Sequence, residues 1–437
     1  MQNVLVIDKN KMPLMPCHPV RARELLRKGK AAVYKRFPFI IILREKSGSD
    51  VQGLELKLDP GSKITGIALV AECKQGRKVV WAGELNHRGQ AIKNSLLSRR
   101  QIRSSRRNRK TRYRQPRFLN RTRPQGWIAP SLLSRVDNVF TWAKRLINFA
   151  PVSEIVVETV RFDTQLMQNP EISGVEYQQG ELAGYEVREY LLEKWGRKCA
   201  YCRVENVPME IEHIVPRVKG GSDRTSNLTL SCRPCNQAKG SRDIREFLGH
   251  DSKLLTGILA RAKAPLKDAA AINSIRYATG DRLKEFGLKV SFSSGGRTKY
   301  NRTTQGYKKA HWLDAACVGE TGESVHVLPG LQPLNISATG RGSRHMCRVD
   351  KYGFPRTSAK SQKVVEGFKT GDMVEALVHK GKKIGTYVGR VAVRTSGSFN
   401  IKTETITVQG ISWKYCSLLQ YADGYNYNIG GCVSSST

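Results

Sequence analysis

Residues 54–70 read Leu-Glu-Leu-Lys-Leu-Asp-Pro-Gly-Ser-Lys-Ile-Thr-Gly-Ile-Ala-Leu-Val, and a third apolar run follows at residues 78–85. Leucine recurs at every second position at the start of this stretch, and Pro60-Gly61 separates the first run from the second. Alternation predicts β-strands, and proline followed by glycine predicts a tight turn. We therefore expect three consecutive strands with short turns, and Asp59 at the end of the first strand.

The sequence on the carboxyl side continues this α/β pattern and is interrupted by a compact Cys/His module at residues 181–250. The predicted elements outside that module are a helix at 130–149 with Ser131 as a candidate cap, a strand at 154–158, a helix at 265–286, a strand at 289–293, a basic glycine loop at 295–302 and a helix that opens near His311. The flanking pieces therefore predict one α/β domain that is split by an insertion.

The two ends of the chain have different patterns. Residues 1–50 alternate short apolar runs with one basic helix candidate at residues 20–28, which predicts a small α+β domain. Beyond residue 326, short alternating strands with glycine turns predict a small β-barrel. Residues 162–180 are polar and glutamine-rich, as is typical of a linker.

The composition indicates a folded protein with a polyanionic partner. The chain has 437 residues, a formal net charge of +37 and a hydrophobic content of 39%. That hydrophobic content is too high for a disordered basic tail, and the charge favours nucleic acid as the partner. The sequence has no apolar run of membrane-spanning length and no secretory signal, so we expect the cytoplasm, where thiols stay reduced.

An arginine-rich segment at residues 88–123 contains twelve Arg, two Lys and no acid. Arg99, Arg103, Arg106 and Lys110 follow the spacing i, i+4, i+7 and i+11, which is a single stripe along a helix. Guanidinium groups at that pitch suit phosphates. A disordered basic linker is the alternative interpretation, because Pro116 breaks the helical pattern.

Two Cys-x-x-Cys pairs predict a metal site. Cys199 and Cys202 are separated by 29 residues from Cys232 and Cys235. Four thiolates in two knuckles form a tetrahedral zinc site with no open position, so the zinc would be structural. Four buried cysteines without metal are the alternative.

The segment between and just after these knuckles carries candidate catalytic residues. Glu212 and His213 are followed by Asn227-Leu228 and, after the second knuckle, by Asn236 and Lys239. This order resembles the ββα-metal site of HNH nucleases. The resemblance implies His213 as general base, Asn227 as its support through the backbone, and one magnesium ion held by Glu212 and Asn236. Glu210 remains an alternative ligand, and a structural loop histidine remains the alternative for His213.

Three separated acids form a second candidate site. Asp59 and Glu158 end predicted strands, and Asp314 follows His311 by three residues. Such acids can converge on two magnesium ions for in-line phosphoryl displacement. Each acid alone would more often be a turn former or a solvated strand end. Their order and context resemble the three split motifs of a RuvC nuclease, which has an RNase H-like fold.

A RuvC domain that is split by an Arg-rich bridge helix and an HNH module resembles the CRISPR single-effector nucleases. With Met12-Pro13-Leu14-Met15-Pro16 near the N-terminus, the chain resembles the IscB family of compact transposon-associated nucleases. The predicted domains are an N-terminal PLMP-type domain (1–50), three RuvC parts (51–87, 126–178 and 253–325), the bridge helix (88–125), the HNH domain (179–252) and a C-terminal β domain that reads the adjacent motif and interacts with RNA (326–437).

The resemblance implies an RNA-guided DNA endonuclease of the prokaryotic cytoplasm. Its partners would be a structured guide RNA, with one protein per RNA, and double-stranded target DNA. The HNH site would cut the guide-paired strand and the RuvC site the displaced strand, with two magnesium ions at RuvC, one at HNH and one structural zinc. The implied RNA-binding residues are Arg99, Arg103, Arg106, Arg107 and Lys110. A guide-independent nuclease for branched DNA and an RNA-binding transposon accessory protein remain the alternatives.

Overall fold

The computed structural model describes residues 2–74, 76–108, 127–159, 188, 191–192, 194–205, 207–249, 251–263, 267–340, 347, 349–352, 354–358, 362–403 and 405–429. The chain divides into two compact units. The first comprises residues 1–158, 279–293 and 297–437, and the second comprises residues 159–278 and 294–296. The predicted linker at 162–180 lies outside the described residues.

The elements are numbered here in chain order. The strands are β1 (Val4–Ile7), β2 (Pro13–Cys17), β3 (Ala31–Lys35), β4 (Ile40–Leu43), β5 (Leu54–Pro60), β6 (Ile64–Cys73), β7 (Gly76–Asn86), β8 (Val152–Glu158), β9 (Met209–His213), β10 (Leu228–Cys232), β11 (Lys289–Ser293), β12 (Val325–His326), β13 (Leu334–Ala338), β14 (Val364–Val365), β15 (Phe368–Lys369), β16 (Met373–Val378), β17 (Gly385–Ala392), β18 (Ser398–Lys402), β19 (Thr407–Ser412), β20 (Cys416–Gln420) and β21 (Tyr425–Ile429). The α-helices are α1 (Pro19–Arg27), α2 (Gly89–Asn108), α3 (Pro130–Phe149), α4 (Arg233–Lys239), α5 (Ile244–Phe247), α6 (Ser252–Ala262), α7 (Lys267–Lys284), α8 (Gly295–Thr304) and α9 (His311–Ala316).

A large mixed sheet forms the centre of the first unit. Its strand order is β11-β8-β5-β6-β7-β13-β21, and β12 pairs with β7. Strands β5, β6 and β7 are the three consecutive antiparallel strands that the alternation predicts. Strand β8 lies parallel to both β5 and β11, so their carboxyl ends meet at one edge of the sheet. This edge carries Asp59 and Glu158.

Helices cover both faces of this sheet. Helix α3 buries Val139, Trp142 and Leu146 in the same core as Leu56 and Ile67. Its N-cap is Ala129 and Pro130 occupies the first turn, so the predicted Ser131 cap is wrong, because the fixed φ of proline places the cap two residues earlier. Helix α9 packs over β5, β6 and β7, where Ala315 and Ala316 join a second core.

Residues 295–302, which we expected to be a basic loop, form helix α8. The Asn301 side-chain amide donates to the carbonyls of Cys317 and Gly319 at 3.0 and 2.9 Å. Thr298 and Arg302 are buried as well. These tertiary contacts outweigh the low helix propensity of the two glycines that open the segment.

The N-terminal residues form a sheet of order β2-β1-β4-β3 with helix α1. Val4, Val6, Leu14, Ala22 and Ile41 contribute to its buried core. This part therefore has the α+β composition that the short apolar runs predict.

The C-terminal part departs from the predicted barrel. Strands β16 to β20 form an antiparallel sheet of order β19-β18-β17-β16-β20, and no pairing of β19 with β20 closes it among the described strands. Only Trp413–Tyr415 connects these two edge strands. A flat sheet of five strands would separate its edges by about 19 Å, which is more than three residues span comfortably, so the sheet curls without closing.

Two strands beyond residue 326 belong to the central sheet instead. Strand β13 lies parallel to β7, and β21 pairs with β13. Leu334, Ile336 and Tyr425 are buried in the main core. The predicted division at residue 326 therefore cuts through one continuous sheet.

The second unit is built around the antiparallel pair β9 and β10, with α4 directly after β10. Its core contains Trp195, Met209, Leu230, Ile244 and Ile258.

Helix α7 begins at Lys267 and ends at Lys284, within the predicted 265–286. Over the described residues, no helix is long and apolar enough to cross a membrane.

Candidate active sites

The first candidate site lies at the carboxyl edge of the central sheet. Asp59 follows Leu58, which pairs with Val157, so Asp59 and Glu158 end neighbouring strands. Helix α9 brings His311 and Asp314 to the same edge, with His311 Nδ1 3.8 Å from Asp59 Oδ2. The structure therefore brings together the acids that the sequence had placed on separate elements.

Gly66 makes this approach of α9 possible. It pairs with Asp59 on β6, and a Cβ atom at Gly66 would overlap the backbone carbonyl of His311. Only glycine lets the helix come so close to the strand. The Thr-Gly-Ile sequence of β6 thus has a direct part in placing His311 and Asp314.

The acids influence one another through their charges. Burial, together with the charges of Asp59 and Asp314, raises the pKa of Glu158 well above its ordinary value, while a hydrogen bond from Thr298 opposes the rise. Burial also raises the pKa of Asp314, although the positive charge of Lys309 opposes it. Converging buried carboxylates of this kind are what a divalent cation stabilises.

His311 lies in the field of the Asp59 carboxylate. Burial disfavours its charged form, but the nearby negative charge of Asp59 outweighs burial, so the pKa of His311 is raised. Asp59 therefore favours the protonated imidazole beside the acids.

Two cations that the sequence analysis did not single out bind Asp314. Arg302 Nε lies 2.7 Å from Asp314 Oδ1, and Lys309 Nζ lies 3.1 Å from Oδ2. The Arg302 side chain is only 9% exposed and also donates to the Tyr307 carbonyl at 2.9 Å. Of the two cations, only Lys309 lies near the motif, in Lys308-Lys309 before Ala310 and His311, and the sequence does not show which of these two lysines reaches the acid.

A buried lysine lies behind the acids on β5. Lys57 is on the same face as Asp59, two residues away, and its side chain is 0% exposed. Its ammonium lies 3.4 Å from Glu55 and donates to the Val318 carbonyl at 3.0 Å. Burial lowers the pKa of Lys57 to about 8. The burial of Lys57 could not be predicted from the alternation of leucines, because a lysine between apolar residues of a strand usually faces solvent.

The four knuckle cysteines of the second unit come together. Each contributes a sulfur, and these four atoms all lie within 4.8 Å of one another. Cys202 Sγ and Cys232 Sγ are 3.6 Å apart, close to the about 3.8 Å between ligands of a tetrahedral zinc–sulfur site. The residues present therefore fit a zinc ion.

Backbone groups also support a metal-binding thiolate at this cluster. Burial disfavours the charged form of Cys199, but backbone N–H groups of Cys202, Cys232 and Tyr201 outweigh burial and lower the pKa of Cys199 to about 7. The metal ligand is the thiolate, so these donors favour the form that zinc requires.

His213 ends strand β9 and contacts an acid that the sequence analysis did not select. Its Nε2 lies 2.6 Å from Asp223 Oδ1. Arg217 donates to both oxygens of Asp223, at 2.7 and 2.8 Å. The hydrogen bonds from His213 and Arg217 lower the pKa of Asp223. Asp223 therefore stays ionised and orients the imidazole, and its position in Gly220-Gly221-Ser222-Asp223 was the available signal.

Asn227 holds the loop next to His213. It accepts from the Val215 N–H at 2.9 Å and donates to the Val215 and Ser222 carbonyls at 3.0 and 2.8 Å. A Cβ atom at Gly221 would overlap the Val215 carbonyl, so glycine is needed for this turn. Asn227 therefore acts on the backbone that follows His213.

The two acids that the sequence left as alternative metal ligands have different partners. Asn236 donates to Glu210 at 2.7 Å. Glu212 is buried and accepts from Tyr201 Oη and from Lys239 Nζ, the latter at 2.5 Å. The Glu210–Asn236 pair thus has the oxygen ligands of a magnesium site, whereas both oxygens of Glu212 already accept from protein donors.

Of the arginine stripe, Arg99 and Arg103 are exposed on α2. The backbone of Arg106 and Arg107 is within α2, but their side chains and the whole of Lys110 lie outside the described residues. Over Gly89–Asn108 the arginine-rich segment therefore forms the helix that the spacing of its basic residues predicts.

Comparisons with known proteins agree with these sites in part. Residues 199–242 match the family model of HNH endonucleases, and residues 4–180 match that of RRXRR proteins. No curated protein matches the chain. Over residues 199–242 the protein therefore carries an HNH endonuclease domain, which contains His213, Asp223 and the four cysteines.

Two solved structures with local similarity are Cas9 proteins. One is Streptococcus thermophilus Cas9 in complex with the GGAA PAM, at 14% identity over 60% of this chain, with a TM-score of 0.20. The other is the type II-C Cas9 enzyme of Actinomyces naeslundii, at 17% identity over 47% of this chain, with a TM-score of 0.18. The alignments cover 32% of each of those chains, so this chain matches about a third of their length.

Proposed function

We propose that the protein is a metal-dependent DNA endonuclease with two separate nuclease centres, directed by a guide RNA in the manner of the IscB family. The observation that carries the proposal is the presence of two acid–histidine sites on one chain. Asp59, Glu158 and Asp314 with His311 form one, and Glu210 and Asn236 with His213 form the other. Two centres suit a substrate with two strands.

In the HNH domain, His213 would act as the general base. The Asp223 carboxylate accepts the hydrogen on Nε2, which leaves Nδ1 of the neutral imidazole able to take a proton from water. Glu210 and Asn236 would hold one magnesium ion, in preference to the Glu212–Asn236 pair. A divalent ion at this position supplies positive charge for the leaving oxygen.

In the first unit, Asp59, Glu158 and Asp314 would hold two magnesium ions. The raised pKa values of Glu158 and Asp314 support this, because their present surroundings disfavour the anionic form of each. His311 would hold or release a proton beside Asp59.

The RNA partner is proposed from charge and from helix α2. A net charge of +37 favours a polyanionic partner, and Arg99 and Arg103 present guanidinium groups on an exposed helix face. Such groups bind a phosphate backbone without reading its sequence. Guide pairing would then supply the sequence specificity that the protein itself lacks.

The test is cleavage of a duplex plasmid by protein purified with its own copurifying RNA. We expect linear product in magnesium, no product in EDTA, and loss of cleavage after RNase treatment that returns when the sequenced RNA is added back. Cleavage that survives RNase on branched DNA would favour the guide-independent nuclease. Bound RNA of defined length without any cleavage would favour the accessory protein.

A further inference from the structure

A buried chain of hydrogen bonds links the cysteine knuckles to the backbone of His213. Tyr201 lies between Cys199 and Cys202, and its hydroxyl donates to Glu212. Lys239 Nζ donates to Glu212 at 2.5 Å and to the His213 carbonyl at 2.8 Å. We infer that Tyr201, Glu212 and Lys239 are positioning residues for His213, an inference that rests on the proposed nuclease role of the HNH domain.

The degree of burial sets this ion pair apart from the others of the domain. The Lys239 side chain is 0% exposed and that of Glu212 is 5% exposed, whereas the Lys219–Glu246 pair is 43% and 53% exposed. A buried ion pair is stable only when hydrogen bonds satisfy both partners. The pair therefore holds its geometry, and the bond from Lys239 to the His213 carbonyl is part of that geometry.

Both ends of this chain of hydrogen bonds, Tyr201 and Lys239, are attached to the cysteine knuckles. Tyr201 lies between the ligand candidates Cys199 and Cys202 in the sequence, so its backbone is part of the first knuckle. Lys239 is the last residue of α4, the helix that contains Cys235. Zinc at the four cysteines would therefore act on His213 through these residues, although His213 itself does not contact the cluster.

Fixing the His213 carbonyl matters because the imidazole direction follows from the backbone. Lys239 holds His213, and Asn227 holds Val215 two residues later. Asp223 then receives the Nε2 hydrogen at 2.6 Å. Loss of the hydrogen bond from Lys239 would leave Asp223 in place but would release the end of β9 that carries His213. A small displacement of a general base lowers the reaction rate strongly.

The test uses full-length protein with four variants: Lys239→Met, Glu212→Gln, the double variant Glu212→Leu/Lys239→Met, and the exposed control Lys219→Met/Glu246→Gln. Zinc content, ¹⁵N signals of the His213 imidazole and the rate of cutting the guide-paired strand are measured. The His213 signals are assigned by their loss in His213→Gln.

We expect Lys239→Met to slow that strand's cleavage at least 10-fold and to shift the His213 signals, while the control changes neither. The double variant removes both charges together, so it regains wild-type zinc content and thermal stability, yet cleavage stays slow and the signals stay shifted. Rescue of folding without rescue of cleavage is what a positioning role requires and a purely structural role does not.

Wild-type cleavage and unshifted His213 signals in the folded double variant would overturn the inference. It would also be overturned if Glu212→Gln left the His213 signals unchanged but lost Mn²⁺ binding at the HNH site, because Glu212 would then be a metal ligand. If the wild-type protein does not cut the strand at all, the proposed function fails, and the His213 signals still decide whether Lys239 positions the imidazole.

Discussion

Two glycines decide how closely the candidate catalytic groups approach their supports. Gly66 admits the His311 carbonyl against β6, and Gly221 admits the Val215 carbonyl in the turn before Asp223. In each case a methyl group would occupy the space of a backbone atom, which cannot move aside as a flexible side chain can. Single residues without functional groups therefore shape both sites.

His87 contributes stability that depends on pH. Its Nε2 hydrogen-bonds to Thr65 Oγ1 at 2.8 Å, and burial followed by the charge of Arg135 lowers the pKa of His87 to about 3. The unfolded chain takes up a proton below about 6.5, whereas the folded protein does not. This contribution is complete above pH 6.5 and is lost as the pH falls, by up to about 1.4 kcal/mol for each pH unit.

We therefore predict that His87→Gln weakens the loss of stability on acidification. Urea unfolding near pH 7.5 and near pH 5.5, followed by tryptophan fluorescence, measures the difference in unfolding free energy. The difference should be about 1 kcal/mol smaller in the variant than in the wild type. His326→Gln, at an exposed position, is the matched control and should behave as the wild type. An identical pH response of His87→Gln and wild type would refute this assignment.

Motif residues could be predicted from the sequence, but their counter-charges could not. Asp59, Glu158 and Asp314 lie at strand ends or in a first helical turn, which a linear pattern reveals. Arg302, Lys309 and Lys239 reach their acids from other elements through long side chains. The pattern of a sequence records where a backbone element begins and ends, and it does not record which long side chain folds inward.

At the scale of elements, α2 is the proposed RNA contact. The helix has no acid in its first turn, and Arg99, Arg100 and Arg103 are exposed along it. If the stripe binds the RNA backbone, replacing Arg99, Arg103 and Arg106 by alanine should weaken binding of every guide sequence alike. The slope of log affinity against log salt should flatten by roughly 2 to 3 units.

Filter binding of guide RNA over a salt series measures this slope. The matched control is a triple alanine variant of the exposed residues Lys9, Lys30 and Lys74, which removes the same charge outside α2. An unchanged slope and affinity in the α2 variant would mean that the stripe is a solvated surface. A change equal to that of the control would mean that only the total charge matters.

Elements held by local pattern were easier to predict than those held by distant contacts. Strands β5, β6 and β7 lie where the apolar runs and the Pro60-Gly61 turn predict them, because consecutive strands pair directly with one another. Helix α8 was missed because it depends on Asn301 binding carbonyls of a later segment. Strands β13 and β21 were assigned to the wrong domain because β13 pairs with a strand some 250 residues earlier.

At the scale of the whole molecule, one chain carries two sites built on different principles. The site of the first unit uses acids from a sheet edge and a helix, with Arg302 as a buried cation beside Asp314. The HNH domain uses a histidine on a strand end, next to a cysteine cluster that fits zinc. Each site has its own support, so each should fail independently of the other.

The most direct test of this independence is a cleavage gel with each strand of a target duplex labelled separately. Wild-type protein with its RNA should cut both strands. His213→Ala should cut only the displaced strand, and Asp59→Ala should cut only the guide-paired strand. If either variant still cuts both strands, or if either substitution abolishes both cuts in a protein that remains folded and RNA-bound, the chain does not contain two independent nuclease centres.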